Sequence, residues 1–344
     1  MIRFNNDYNR NAHPEILKAL QDTAAEAYGG YGIDEWCDAA KEAIHEYLDC
    51  PEAAIHFLVG GTQANYLAIE AMLDRPYYSV IAADSGHICV HESGAIEHTG
   101  HKIHQLKAEA GKITASQIEE EARYYAENAL VEHITHPRAV YISQPTEFGT
   151  CYSLEELKAI SDVCDRYDMY LYIDGARLGY GLAASDATLA DIAELSDMFY
   201  IGGTKCGFLM GEALVITNPA LDFGIRNFMK LNGALLAKGW LLGLQYHVMF
   251  KDGLYFEITE KAVRLAMRIK DAFNAAGIKC FLDSPTNQQF FLMTKEQQEK
   301  LAEEFVFEYI DPFDDEYDII RFCTSWSTTE EEVEKLCEAV HMGI

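Results

Sequence analysis

Met169-Tyr170-Leu171-Tyr172-Ile173-Asp174-Gly175-Ala176-Arg177 is an apolar run that stops at an acid, a glycine and an arginine. A short apolar run bounded this way reads as a buried strand. Helical signals flank it. Ser153 to Tyr167 precedes it, with Ser153 as N-cap and Glu156 three residues on, and Leu189 to Leu195 follows. The next apolar run, Met198 to Ile201, ends in Gly202-Gly203-Thr204-Lys205-Cys206-Gly207. Towards the N-terminus the alternation continues. Ile55 to Val59, Ser79 to Ala83, Lys102 to Leu106 and Ala139 to Ser143 read as strands. Asp34 to Leu48, Thr62 to Leu73, Ile88 to Glu97 and Thr114 to Ala129 read as helices. Strand–helix alternation predicts an α/β fold with a mostly parallel sheet covered on both faces.

The pattern changes at both ends. Residues 1–12 are polar, rich in asparagine and aperiodic, which predicts an extended arm. Phe208 to Thr217 is strand-like but broken by Gly211, and Ile225 to Phe250 reads as a long helical stretch. Tyr255 to Ala276 is one long helix closed by Gly277. Short strands follow at Phe281-Leu282, Gln289 to Met293, Phe305 to Tyr309 and Ile319 to Cys323, then a closing helix from Thr329 to Val340. The expected organisation is an arm (1–12), a large α/β domain (13–250) and a smaller C-terminal α+β domain (251–344).

Composition narrows the function. The chain has 344 residues and a formal net charge of −28. A surface this acidic repels phosphate backbones and anionic lipid, so neither nucleic acid nor membrane is an expected partner. The nine cysteines are odd in number, scattered and never spaced C-x-x-C. That predicts reduced thiols in a cytoplasmic protein rather than a disulfide framework or zinc ribbon. The first residues contain no apolar signal core, and the most apolar window, Leu235 to Phe250, is interrupted by Lys238, Gln245 and His247.

In an open α/β sheet, ligands gather at the carboxyl ends of strands. Four polar clusters sit at such ends. Gly60-Gly61-Thr62 opens a helix, where backbone N–H groups and a hydroxyl suit a phosphate; an ordinary capped turn is the alternative. Asp174 ends a strand and needs a cationic partner there, a protonated ring nitrogen or Arg177 itself. Lys205, flanked by glycines, suits Schiff-base formation, or else phosphate binding. His87 follows a strand and suits ring stacking or proton transfer. With His91 at i, i+4 it could also begin a metal site, although no third ligand is specified and no metal is expected. In order along the chain, these residues supply a phosphate site, a planar partner, an acid for a pyridine nitrogen and an amine for an aldehyde. Pyridoxal 5′-phosphate needs that set.

On Gly61-Thr62-x-Ala64-Asn65, Ala83-Asp84-x-x-His87, Asp174-Gly175-Ala176-Arg177-Leu178, Thr204-Lys205 and Arg321-x-x-Thr324-Ser325, the chain resembles the low-specificity L-threonine aldolase and β-eliminating lyase group of fold-type-I pyridoxal-phosphate enzymes. The resemblance implies that Lys205 bonds the cofactor aldehyde, Asp174 holds the pyridinium proton and His87 stacks on the ring. It implies a phosphate site at Gly61, Thr62 and Thr204, and a substrate-carboxylate grip by Arg177 and Arg321. Asn6 and Tyr31 match further active-site contacts of the family. Three departures stand out. Glu147 replaces a histidine near the substrate hydroxyl, the arm reads Asn5-Asn6-Asp7-Tyr8, and the family's cross-subunit arginine becomes Leu236, with Lys238 nearby as a substitute. The implied activity is cleavage of a β-hydroxy-α-amino acid to glycine and an aldehyde, in a homodimer or homotetramer. His87, Glu147 or a water would take the hydroxyl proton. β-Elimination or transamination of another amino acid is the runner-up, and a non-catalytic metal-binding scaffold the third reading.

Overall fold

In the computed structural model, which describes residues 1–343, twelve strands form three sheets. In chain order they are β1 (Ile2–Arg3), β2 (Ala54–Leu58), β3 (Tyr78–Ala83), β4 (Lys102–Leu106), β5 (His136–Ser143), β6 (Tyr170–Asp174), β7 (Met198–Gly202), β8 (Glu212–Ile216), β9 (Gln288–Met293), β10 (Phe305–Val306), β11 (Glu308–Pro312) and β12 (Asp318–Cys323). The large sheet has seven strands in the order β2-β8-β7-β6-β5-β3-β4. Only β8 runs against the others. Side chains alternate between two cores, as a sheet buried on both faces requires. Ile81, Val140, Leu171, Ile173, Phe199 and Ile201 face one helical layer. Val80, Ala82, Tyr141, Tyr172, Met198 and Tyr200 face the other.

A three-stranded antiparallel sheet, β11-β12-β9, packs on the helices Leu254–Ala275 and Glu330–His341. Its core is aromatic: Phe273 stacks on Phe291 at 4.0 Å, and Phe322 joins them. The N-terminal arm belongs to this layer. β1 pairs in parallel with β10, and Phe4 is fully buried beside Phe305 and Phe322.

Five expectations change. Ile88 to Glu97 is not one helix but two single turns, His87–Val90 and Ala95–His98, because Ser93 and Gly94 both adopt positive φ. The stretch Ile225 to Phe250 breaks at Gly233 (φ 69°), where Ala234 N–H closes onto Met229 O, and resumes as Trp240–Phe250. Phe208 to Thr217 is extended only from Glu212. Phe305 to Tyr309 divides between two sheets, as β10 and β11. Phe281-Leu282 lies outside any strand. Two helices carried weak signals. Leu178–Ala184 contains Gly179 and Gly181, which disfavour helix alone, yet a Cβ at Gly179 would meet Tyr255 and Thr259 at 2.8 Å. Lys295–Ala302 buries only Leu301 and is secured by the Thr294–Gln297 capping box. Trp240–Phe250 is a largely buried helix, and no described helix is long and apolar enough to cross a membrane.

Candidate active site

The register brings the polar clusters together. Ser143 pairs with Asp174 at the ends of β5 and β6, and Gly202 and Leu58 both pair with Glu212 across β8. Two glycines allow the loops beyond β6 and β7 to touch. A Cβ at Gly175 would lie 1.8 Å from Tyr200 O, and one at Gly202 would lie 2.4 Å from Ala176 O. Between the loops is a cavity of about 200 Å³. The Gly60-Gly61-Thr62 turn forms one side, Thr204, Lys205 and Glu212 another, and His87, Glu147, Asp174 and Arg177 the rest.

Gly60 caps the helix Gly61–Met72 without any side-chain hydrogen bond, so the first amides keep their donors free for an anion. Asp174, 4 % exposed, accepts four hydrogen bonds. Tyr200 Oη (2.6 Å) and Ala176 N–H (3.0 Å) donate to Oδ1; Tyr141 Oη (2.6 Å) and Asn65 Nδ2 (3.0 Å) donate to Oδ2. Arg177, the partner weighed from sequence, is turned elsewhere. Its Nε and Nη2 donate to the buried Asp7 carboxylate at 2.7 and 3.0 Å, and Asn287 Nδ2 donates to the same group. Burial alone would raise the Asp7 pKa; the Arg177 guanidinium overrides it and holds the carboxyl at about 2.

Lys205 makes no hydrogen bond through its amine among the described residues, and burial together with the Arg177 charge lowers its pKa. Glu147 Oε1 accepts from the His87 backbone N–H at 2.9 Å and from Ser143 Oγ at 2.7 Å, while burial raises its pKa. His87 Nδ1 lies 2.7 Å from Glu92 Oε1, and this hydrogen bond raises the imidazole pKa. Asn65 Nδ2 also donates to Glu92 Oε1, at 2.6 Å, linking His87 through Glu92 and Asn65 to Asp174. Glu92 and Glu212 escaped the sequence reading. The first lies in a segment read as plain helix, and the second is visible only through strand pairing.

The remaining candidates lie outside the cavity lining. Asn6 Oδ1 accepts from Tyr8 N–H, and Arg321 donates to Gln288 Oε1 and to Asn5 O. Tyr31 borders a separate cavity of about 280 Å³ with Arg226 and Leu236, and Lys238 is exposed beside it. The His87 and His91 rings are 5.5 Å apart, and no group of three or more His, Cys, Asp or Glu side chains converges for a metal among the described residues.

A seven-stranded, nearly parallel sheet with lysine and aspartate at neighbouring strand ends defines a fold-type-I architecture. A variant of Thermus thermophilus aspartate aminotransferase shares that fold, with a TM-score of 0.67 at 14 % identity over 100 % of this chain and 96 % of that one. Residues 13–305 match the family model described as beta-eliminating lyase, and the chain belongs to that family. It is 28 % identical to the low specificity L-threonine aldolase of Pseudomonas aeruginosa, over 99 % of this chain and 97 % of that protein. It is also similar to a threonine aldolase structure from Leishmania major, with a TM-score of 0.96 and 41 % identity over 99 % of both chains.

Proposed function

We propose that the protein cleaves L-threonine, L-allo-threonine and related β-hydroxy-α-amino acids between Cα and Cβ, releasing glycine and an aldehyde, with pyridoxal 5′-phosphate as cofactor. The observation that carries this is the shared cavity of Lys205 and Asp174, at the ends of adjacent strands. The donor set fits the cofactor. Free helix amides at Gly61 and Thr62, with the Thr204 hydroxyl, suit its phosphate. Asp174 suits its ring nitrogen, and the unpartnered Lys205 amine suits its aldehyde. When bound, pyridoxal phosphate supplies an electron sink conjugated to the substrate Cα.

The chain's own residues do the rest. A lowered pKa keeps more of Lys205 as free amine, the nucleophilic form. Arg177, with two nitrogens committed to Asp7, offers Nη1 to the substrate carboxylate, and Arg321 approaches from the small sheet. With Glu92 accepting from Nδ1–H, neutral His87 keeps Nε2 as acceptor for the β-hydroxyl proton. Burial keeps Glu147 protonated to higher pH than an ordinary carboxyl, so it is suited to return a proton after His87 has taken one. Tyr31 and Lys238, remote from the cavity within one chain, would serve a neighbouring subunit's site in a homodimer or homotetramer.

Glu147, which replaces the family's histidine, motivates a second reading: β-elimination. Incubation with L-threonine, L-allo-threonine and L-serine separates the two. Aldehyde with equimolar glycine is the expected product; ammonia with 2-oxobutyrate from the threonines or pyruvate from serine, without glycine, would replace the aldol reading.

A further inference from the structure

Glu212 is 4 % exposed and begins β8, the one reversed strand of the large sheet. The register sets it directly between two functional loops. Leu58 of β2 pairs with it on one side, and the chain from there enters Gly60-Gly61-Thr62. Gly202 of β7 pairs with it on the other side, and the chain from there enters Thr204-Lys205. Gly203 N–H donates to Glu212 Oε2 at 3.1 Å, the Thr204 hydroxyl lies beside the same carboxyl, and the group lines the cavity. The proposed phosphate corner is therefore walled by an acid.

The corner is poor in positive charge. Among the residues that line the cavity, the cations besides His87 are Lys205, assigned to the aldehyde, and Arg177, already paired with Asp7. An ionised carboxylate there would repel a phosphate, whereas a carboxylic acid would donate to it a charge-assisted hydrogen bond. We propose that Glu212 is a cofactor-binding residue whose protonated carboxyl donates to the phosphate between the Gly60–Thr62 turn and Thr204, so that phosphate binding requires a proton at this position. The proposal rests on the pyridoxal-phosphate reading above. Burial, the largest influence, lifts the Glu212 pKa to about 8, despite the lowering influence of Lys205 and the donors from Thr204 and Gly203. Tyr172 and Asp174 of β6, Tyr200 of β7, Cys206 of the following turn and Tyr246 of the helix Trp240–Phe250 complete the titratable groups that sense it.

The test uses the full-length holoenzyme and a non-catalytic readout. Cofactor retained after dialysis is measured against pH for wild type and Glu212→Gln, which donates at every pH. Wild-type affinity should fall about tenfold per pH unit above about 8, with Glu212→Gln flat by comparison. Superimposable profiles would overturn the proposal. Should the variant not fold, the ³¹P resonance of wild-type holoenzyme decides. Binding holds the proton on the carboxyl, so a resonance constant through pH 8 supports the proposal, and one that titrates at or below about 8 overturns it. Failure to retain pyridoxal phosphate at any pH would instead remove the underlying functional reading, a distinct result.

Discussion

At the scale of single residues, the His87–Glu92 pair sets the expected pH behaviour. The hydrogen bond to Glu92 raises the His87 pKa above its usual 6.5, and a base must be neutral to act. Activity should therefore rise with pH through that elevated value. Glu92→Gln removes the cause of the shift, so the acidic limb of the kcat profile should move to lower pH; an unmoved limb would show that His87 is not the titrating base. His87→Asn should cost roughly 10²–10⁴ in kcat, measured as aldehyde release at saturating threonine. Lys205, Asp174, Gly61 and Thr62 were legible in sequence because each sits where an apolar run stops, which marks a strand end whatever the packing. Glu92 was not. It lies five residues beyond His87, and only the turn made by Ser93 and Gly94 shows that its segment is no simple helix.

At the scale of elements, the arm and the loop after β6 are joined by a buried ion pair. Asp7→Ala would leave Arg177 mostly buried with its charge uncompensated and should destabilise the fold by roughly 3–5 kcal/mol in chemical denaturation at neutral pH. The pair also predicts acid sensitivity. The folded pKa of Asp7, about 2, lies below its ordinary 3.8, so its stabilisation is present above 3.8 and is lost as pH falls towards 2. That loss is on the order of 2 kcal/mol, read as a lower denaturation midpoint near pH 2 in wild type than in a variant lacking the pair, once normalised to neutral pH. Most strands and helices were readable, because apolar alternation and capping residues act locally, as at Ser153 and Glu156. The errors share a cause. Breaks at Gly94 and Gly233, and the division of β10 from β11, depend on backbone handedness and on which sheet a strand joins. The Gly-containing helix Leu178–Ala184 exists because Tyr255 and Thr259 press against it, a contact remote in sequence.

At the scale of the whole molecule, the cavity faces the proposal of a shared site. Tyr31 and Lys238 lie beside a second cavity, near the exposed Ile33. If Lys238 serves a neighbour, Lys238→Ala should weaken cofactor retention. Mixing it with Lys205→Ala should then restore activity in hybrid oligomers, since each hybrid holds one intact site. No recovery on subunit exchange would place Lys238 outside the neighbouring subunit's site. The proposed cleavage depends on the Lys205 amine bonding pyridoxal phosphate opposite Asp174. Borohydride reduction of purified protein followed by peptide mass mapping tests this directly. The predicted result is a pyridoxyl-phosphate adduct on Lys205 and on no other lysine, with the visible absorption band absent from Lys205→Ala. A colourless protein that cannot be reconstituted, or an adduct on a different lysine, would contradict it.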